Sequence, residues 1–376
     1  MTCIGDMPLN SIPPTTTLQN FITKINAAYH QSHIDVRFIG GVVQENSDSI
    51  EINRLIDSGI SGFKCFLINS GVSEFTHVNE SHLRSALSRI QGSGKFLMFH
   101  AELEDEDDNN NNNNNDNQIK DKEEVNDPKK YKTFLESRPR TMENKAIELV
   151  IKLCKEYKVH CHIVHLSSSD ALPLIRKAKE EGVPLTVETC YHYLYFESET
   201  IPEGKPQYKC CPPIREAENR EKLWEALKEG IIDIVVTDHS PCTPDLKQVN
   251  NGSYLDSWGG ISSLQFGLSI LHTQALKRNI PITTICKWLC DNPAKLLGIS
   301  HRKGKIDVGF DADFAVFNPN KTFIVNSTDI QHKNKLTAYE SQQFTGQVVQ
   351  TILRGTVIYD DGSFYPKPIG NLLLSN

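Results

Sequence analysis

The sequence predicts an α/β protein: a (β/α)8 TIM-like barrel lacking its first strand, followed by part of a small β-domain. Two observations carry this. Short β-branched and aromatic runs alternate with longer amphipathic ones up to about residue 300, the pattern of repeated strand–helix units around a parallel sheet. Beyond residue 302 the pattern becomes apolar–polar alternation broken by Gly-Asp turns, which is how antiparallel strands read.

The elements follow in order. Met1 to Met7 reads as the tail of a strand. Val36-Arg37-Phe38-Ile39, Phe63-Lys64-Cys65-Phe66-Leu67, Phe96-Leu97-Met98-Phe99, His162-Ile163-Val164-His165-Leu166, Leu185-Thr186-Val187-Glu188 and Ile232-Asp233-Ile234-Val235-Val236 read as buried parallel strands,. Helical periodicity fills 50–57, 80–90, 141–157, 169–181 and 218–229, and Gly59, Gly182 and Gly230 stand where three of these helices would end,. A closed barrel takes eight strands, so the chain is expected to begin partway through its second. From Glu102 to about Asn126 the chain turns acidic and then runs through Asn109 to Asn115. Such a tract has too little apolar surface to offset its ordering entropy, so a disordered insertion over about 103–126 is expected. The spans Gly304 to Phe317 and Val348 to Asp360 are expected as strands. The division is therefore 1–301 for the incomplete barrel and 302–376 for part of the β-domain.

Bulk properties narrow the partners. A net charge of −7 argues against nucleic acid, which leaves a basic patch on its binders. No apolar stretch approaches a membrane span, and the N-terminus has neither the basic nor the apolar region of a signal peptide. The 10 cysteines read as reduced thiols, with Cys286 and Cys290 packed along a helix. A cytoplasmic enzyme is expected, with a peroxisomal address left open.

Chemistry in a barrel sits at the carboxyl ends of its strands. Here the strand at 96–99 ends in His100-Ala101-Glu102, the next supplies His165, and the strand at 232–236 ends in Thr237-Asp238-His239. Alone, a strand-end histidine is more often a satisfied hydrogen bonder, and Asp238 would serve as a helix cap. Three such groups on successive strands converge on one axis, and imidazole with carboxylate is the donor set zinc prefers. Lys64 lies within an otherwise apolar strand, where it either snorkels, pairs with a carboxylate, or joins the metal site after CO2 converts its amine to a carboxylate.

A more specific signal comes from the runs Asp6-Met7-Pro8-Leu9-Asn10-Ser11-Ile12-Pro13-Pro14-Thr15-Thr16, Gly62-Phe63-Lys64-Cys65-Phe66-Leu67, Lys209-Cys210-Cys211-Pro212-Pro213-Ile214-Arg215, Asp238-His239-Ser240-Pro241-Cys242, Trp258-Gly259-Gly260-Ile261 and Ile352-Leu353-Arg354-Gly355. In these the chain resembles the allantoinases, cyclic-amide hydrolases related to dihydropyrimidinases and dihydroorotases. The resemblance extends from Asp6 to the C-terminus apart from the asparagine-rich insertion. It implies a barrel of the metal-dependent hydrolase type holding two zinc ions bridged by Lys64 as N6-carboxylysine. It implies His100, His165 and Asp238 as further metal ligands, with Asp238 also the catalytic proton carrier. Backbone at Cys211, where relatives commonly have serine, and at Gly260 would contact the substrate, allantoin. His239 would help orient the site. A homotetramer acting in purine-ureide degradation is implied as well.

The family also carries a His-x-His pair on its first strand, which this sequence lacks upstream of Met7. His160 and His162 have that spacing but share a strand with His165, so they do not replace it. Three readings stay open: an allantoinase, a catalytically impaired structural relative, and a dihydropyrimidinase- or hydantoinase-type hydrolase.

Overall fold

The computed structural model describes residues 1–104 and 127–374; the asparagine run lies outside them. Parallel strands form a curved ladder: β1 (Cys3–Asp6), β2 (Asp35–Phe38), β3 (Gly40–Gly41), β4 (Gly62–Phe66), β5 (Phe96–His100), β6 (Cys161–Ile163), β7 (Leu185–Cys190) and β8 (Ile234–Val236). β1 pairs with β2, while β3 through β8 pair in sequence order. Only Ile39 separates β2 from β3, and its N–H still donates to Asp6 O. Counting β2 and β3 as one strand, seven positions run from β1 to β8 among the described residues, and those two strands do not pair with each other. The six sequence-predicted strands all appear, and Met1 to Met7 supplies β1.

Period-two alternation decides which face each residue takes. Phe63 and Cys65 of β4, Leu97 and Phe99 of β5, Cys161 and Ile163 of β6, and Leu185 and Val187 of β7 join the main core. That core is closed from outside by the helices Glu80–Ile90 (Leu83, Ala86, Leu87), Arg140–Tyr157 (Ala146, Ile147, Val150) and Ala217–Glu229 (Leu223, Trp224, Leu227). The alternate residues face inward. Phe96 and Met98 join Ile39 and Val164 in a separate inner cluster, and Lys64, His100, His162 and Glu188 share their alternation. At Gly62 a Cβ would meet the Phe96 ring at 2.5 Å, so only glycine lets β4 and β5 pack at this level. The 80–90 helix starts with a capping box, Asn79 accepting from His82 N–H at 3.1 Å,. Gly59, Gly182 and Gly230 all have φ between +73 and +89°, the left-handed conformation of a helix stop.

A second, antiparallel sheet follows, ordered β12-β11-β10-β9: β9 (Phe314–Ile324), β10 (Gln343–Leu353), β11 (Thr356–Asp360) and β12 (Ser363–Phe364). It is fastened to the helix Gly267–Leu276 through Thr273, whose hydroxyl both donates to Thr345 O and accepts from Thr345 N–H. Two expectations are corrected. Residues 304–313 form turns, not a strand, because the segment is held by charge: the buried Lys303 ammonium lies 2.8, 3.0 and 2.5 Å from Asp35, Asp311 and Asp313. Cys286 and Cys290 are exposed instead of packed; the helix at 282–286 widens into a π turn over 287–291, which shifts the four-residue register. Among the described residues no helix is long and apolar enough to cross a membrane.

Candidate active site

The inward residues at the carboxyl ends of the ladder open onto a cavity of about 830 Å3. Lys64, His100, His165, Asp238, Cys211 and Gly260 all line it, so every site residue expected from sequence is brought to one place. His100 Nδ1 and His165 Nε2 face each other at 3.0 Å. The other nitrogen of His100 lies 2.6 Å from Glu102, which in turn accepts from Arg138 at 2.7 Å. Burial pushes the Glu102 carboxyl up, but His100 and Arg138 outweigh it and hold it below the ordinary carboxylate value. Glu102 thus orients His100 as an anion, the arrangement that fixes the tautomer of a ligating imidazole. Phe66 stacks on the same ring at 4.6 Å.

His165 and Asp238 both adopt φ +42°, a left-handed conformation that residues other than glycine, asparagine and aspartate seldom take. The surroundings of His165 hold it there. Glu143, buried on the 140–157 helix, accepts from Ser167 N–H at 2.9 Å and Ser168 N–H at 3.0 Å, and Leu166 N–H donates to Glu188 O at 2.8 Å. His165 Nδ1 is buried without a hydrogen-bond partner among the described residues. Desolvation, with His100 and Lys64 adding, drives its proton affinity well down, so the ring is neutral and offers a lone pair. Asp238 is half-buried and makes no side-chain hydrogen bond or ion pair among the described residues. Desolvation raises its pKa, Lys64 opposes that and Glu188 adds to it. Lys64 is buried, with its ammonium 5.0 Å above the Phe66 ring and no acceptor among the described residues.

His239 Nδ1 accepts from Ser263 N–H at 3.1 Å and Leu264 N–H at 3.3 Å. It fastens the loop after β8, and burial pushes its pKa down to about 4. His160 and His162 share the Thr186 hydroxyl, at 2.8 and 2.7 Å, away from the His100–His165 pair. Sequence reasoning missed Glu188, Arg138, Glu143 and Lys247. Glu188 was within reach, since it is the inward residue at the carboxyl end of Leu185-Thr186-Val187-Glu188. The other three come from loops and a helix, where no alternation points to the cavity.

The donor chemistry fits a metal ion. Two imidazoles converge near a carboxylate, and among the described residues neither that carboxylate nor one buried imidazole nitrogen has a partner. Among the described residues the one trio of His, Cys, Asp or Glu ligand atoms within 4.8 Å of one another is Asp35, Asp311 and Asp313, whose centre is taken by Lys303. In the cavity Lys64 supplies the further donor only if its charge is reversed.

The fold and this inward set suit a metal-assisted hydrolase. Residues 2–358 match the Amidohydrolase family, and the chain belongs to it. It is 43% identical over its full length to "Probable allantoinase 2" of Dictyostelium discoideum, covering 75% of that protein. It is 52% identical to "Allantoinase, mitochondrial" of Aquarana catesbeiana over 80% of this chain and 59% of that one. Against the "Allantoinase" of Saccharomyces cerevisiae it is 41% identical, over all of this chain and 79% of the relative. Among solved structures, the L-hydantoinase (dihydropyrimidinase) of Arthrobacter aurescens superposes with a TM-score of 0.91 at 27% identity, over 100% of this chain and 81% of that one.

Proposed function

We propose that this chain is a zinc-dependent allantoinase, hydrolysing the ring amide of allantoin to give allantoate. The observation that carries it is the convergence of Lys64, His100, His165, Asp238, Cys211 and Gly260 on one cavity, in a chain similar to a probable allantoinase of Dictyostelium discoideum and the allantoinase of Saccharomyces cerevisiae. His100, His165, Asp238 and Lys64 as N6-carboxylysine would hold the metal. Held by these residues, zinc would supply Lewis acidity, making bound water more acidic and the scissile carbonyl more electrophilic.

The chain's own residues do the rest. Asp238, its pKa raised by desolvation, takes the proton of the attacking water and returns it to the leaving ring nitrogen, acting first as base and then as acid. Backbone of Cys211 and Gly260 binds the ring and holds it over the strand ends. The Glu102–Arg138 pair keeps His100 in one orientation, and Glu143 keeps the His165 loop in place. The same reading carries ureide breakdown and a homotetramer with it.

The test is turnover by the purified chain in zinc and bicarbonate, offered allantoin, hydantoin and dihydrouracil, with Lys64→Ala as control. Allantoate production that disappears in the variant supports the reading. Preference for dihydrouracil or hydantoin would move the substrate to the dihydropyrimidinase class. A folded chain that turns over none of them would be a non-catalytic relative.

A further inference from the structure

The geometry points to Lys247 as a positioning residue that clamps the two substrate-contacting loops together and sharpens their hydrogen bonding toward the substrate. This rests on the reading that the Cys211 and Gly260 loops contact the substrate. Lys247 lies in the turn segment after β8 and is 3% exposed. Its ammonium donates to Lys209 O at 3.0 Å, Trp258 O at 2.7 Å and Gly260 O at 2.6 Å. An ammonium has three donors, and here all three are spent on carbonyls from the two loops that line the cavity.

Nearby bonds complete the clamp. Gly260 N–H donates to Lys209 O at 2.9 Å, and Trp258 N–H to Leu246 O at 2.9 Å. The two loops lie so close that a Cβ at Gly259 would meet Cys211 Sγ at 3.0 Å, and one at Gly260 would meet Ser240 Oγ of the segment after β8 at 2.5 Å.

Among the described residues no carboxylate pairs with Lys247; the titratable groups acting on it include Cys242, Cys210, Cys211, Lys209 and His192. A buried cation without a counter-ion is costly unless its donors are all satisfied. Here they are satisfied by peptide carbonyls alone. Each of those carbonyls belongs to a peptide whose N–H, on the following residue, points the opposite way in the trans form. The ammonium therefore polarises the N–H groups of Cys210 and Gly259, both cavity-lining residues for which no acceptor exists among the described residues. A cyclic ureide, rich in carbonyl acceptors, is the ligand class such donors suit.

The experiment compares the full-length chain with Lys247→Met, which keeps the stem and loses every donor, and Lys247→Arg, which keeps the charge. Hydrogen exchange is followed at 209–211 and 257–261, and KM and kcat for allantoin are measured at matched zinc content. Faster exchange at both loops in Lys247→Met, a KM raised about tenfold or more with kcat within threefold, and partial recovery in Lys247→Arg would support the clamp. Unchanged exchange and a KM within twofold in Lys247→Met would overturn it. If Lys247→Met does not fold, the same two measurements on Lys247→Arg decide: wild-type exchange and KM would overturn the three-carbonyl geometry, which a planar guanidinium cannot copy. If the wild-type chain itself turns over no allantoin, the substrate reading fails separately, and the exchange comparison alone decides whether Lys247 joins the loops.

Discussion

Replacing Glu143 with alanine should be among the costliest single changes in this protein. Glu143 and Arg215 are each about 2% exposed at the side chain and meet at 2.7 Å. The second carboxylate oxygen accepts from Ser167 N–H and Ser168 N–H, just past His165. Glu143→Ala strands the buried guanidinium, a loss of about 3–5 kcal/mol. It also leaves two amides unpaired, at about 1–3 kcal/mol each where water cannot reach them. Arg215→Met leaves Glu143 its two amide donors, so it should cost less. Because both changes break one network, the double variant should fall well short of the sum of the two singles. Equilibrium unfolding in urea would measure all three, with allantoin turnover as a parallel readout of the His165 loop. Strict additivity, or a Glu143→Ala cost below about 1 kcal/mol, would refute the argument that this pair holds the loop.

Other outcomes follow from the same structure. Gly260→Ala should raise KM and slow turnover with little change in metal content, since φ +153° and the 2.5 Å approach to Ser240 Oγ leave no room for a methyl group; steady-state kinetics would check it. Lys303→Met should destabilise by about 3–5 kcal/mol, because Asp35, Asp311 and Asp313 lose their shared cation, and hydrogen exchange should quicken at 302–313. Lys247 provides a pH test: burial lowers its pKa from 10.5 to about 8. The unfolded chain then binds the proton more tightly, so the burden on the fold is fully present below about pH 8 and relieved as pH rises from there toward 10.5. Stability of wild type relative to Lys247→Met should therefore improve across that window, by about 3 kcal/mol at most. A flat difference in urea midpoints over pH 7.5–10 would contradict the shift.

The ladder was legible in the sequence because its strands are buried on both faces and read as short apolar runs. His100 and Asp238 stand out at the carboxyl ends of such runs, and Lys64 as the charged interruption of one. What the sequence hid depends on contacts between distant segments. Residues 304–313 alternate like a strand, yet the Lys303 ammonium, drawn to Asp35 more than two hundred residues earlier in the chain, folds them into turns. Cys286 and Cys290 have helical spacing, but the π turn at 287–291 removes the shared face on which that spacing relied. Glu143 and Lys247 are a helix residue and a turn residue whose partners, at 167–168 and at 209, 258 and 260, no local pattern announces.

Lys64 shows why local chemistry decides what this site is for. It sits on the inner face of β4 with an aromatic ring beneath it and no acceptor among the described residues. A salt bridge would explain such a lysine, but the nearby anion, Asp238, does not pair with it. As an ammonium it works against the site by repelling any cation that would bind there, although it also helps desolvation keep His165 neutral. Addition of CO2 would change the sign: the amine would become a carboxylate near the converging imidazoles and Asp238, and the repulsion would become ligation. If that account is right, zinc retention by the purified chain should require bicarbonate and be lost in Lys64→Ala, whereas His239→Ala should retain zinc. Equal zinc content in the presence and absence of bicarbonate would leave Lys64 as a buried ammonium, and the metal would have to rest on His100, His165 and Asp238 alone.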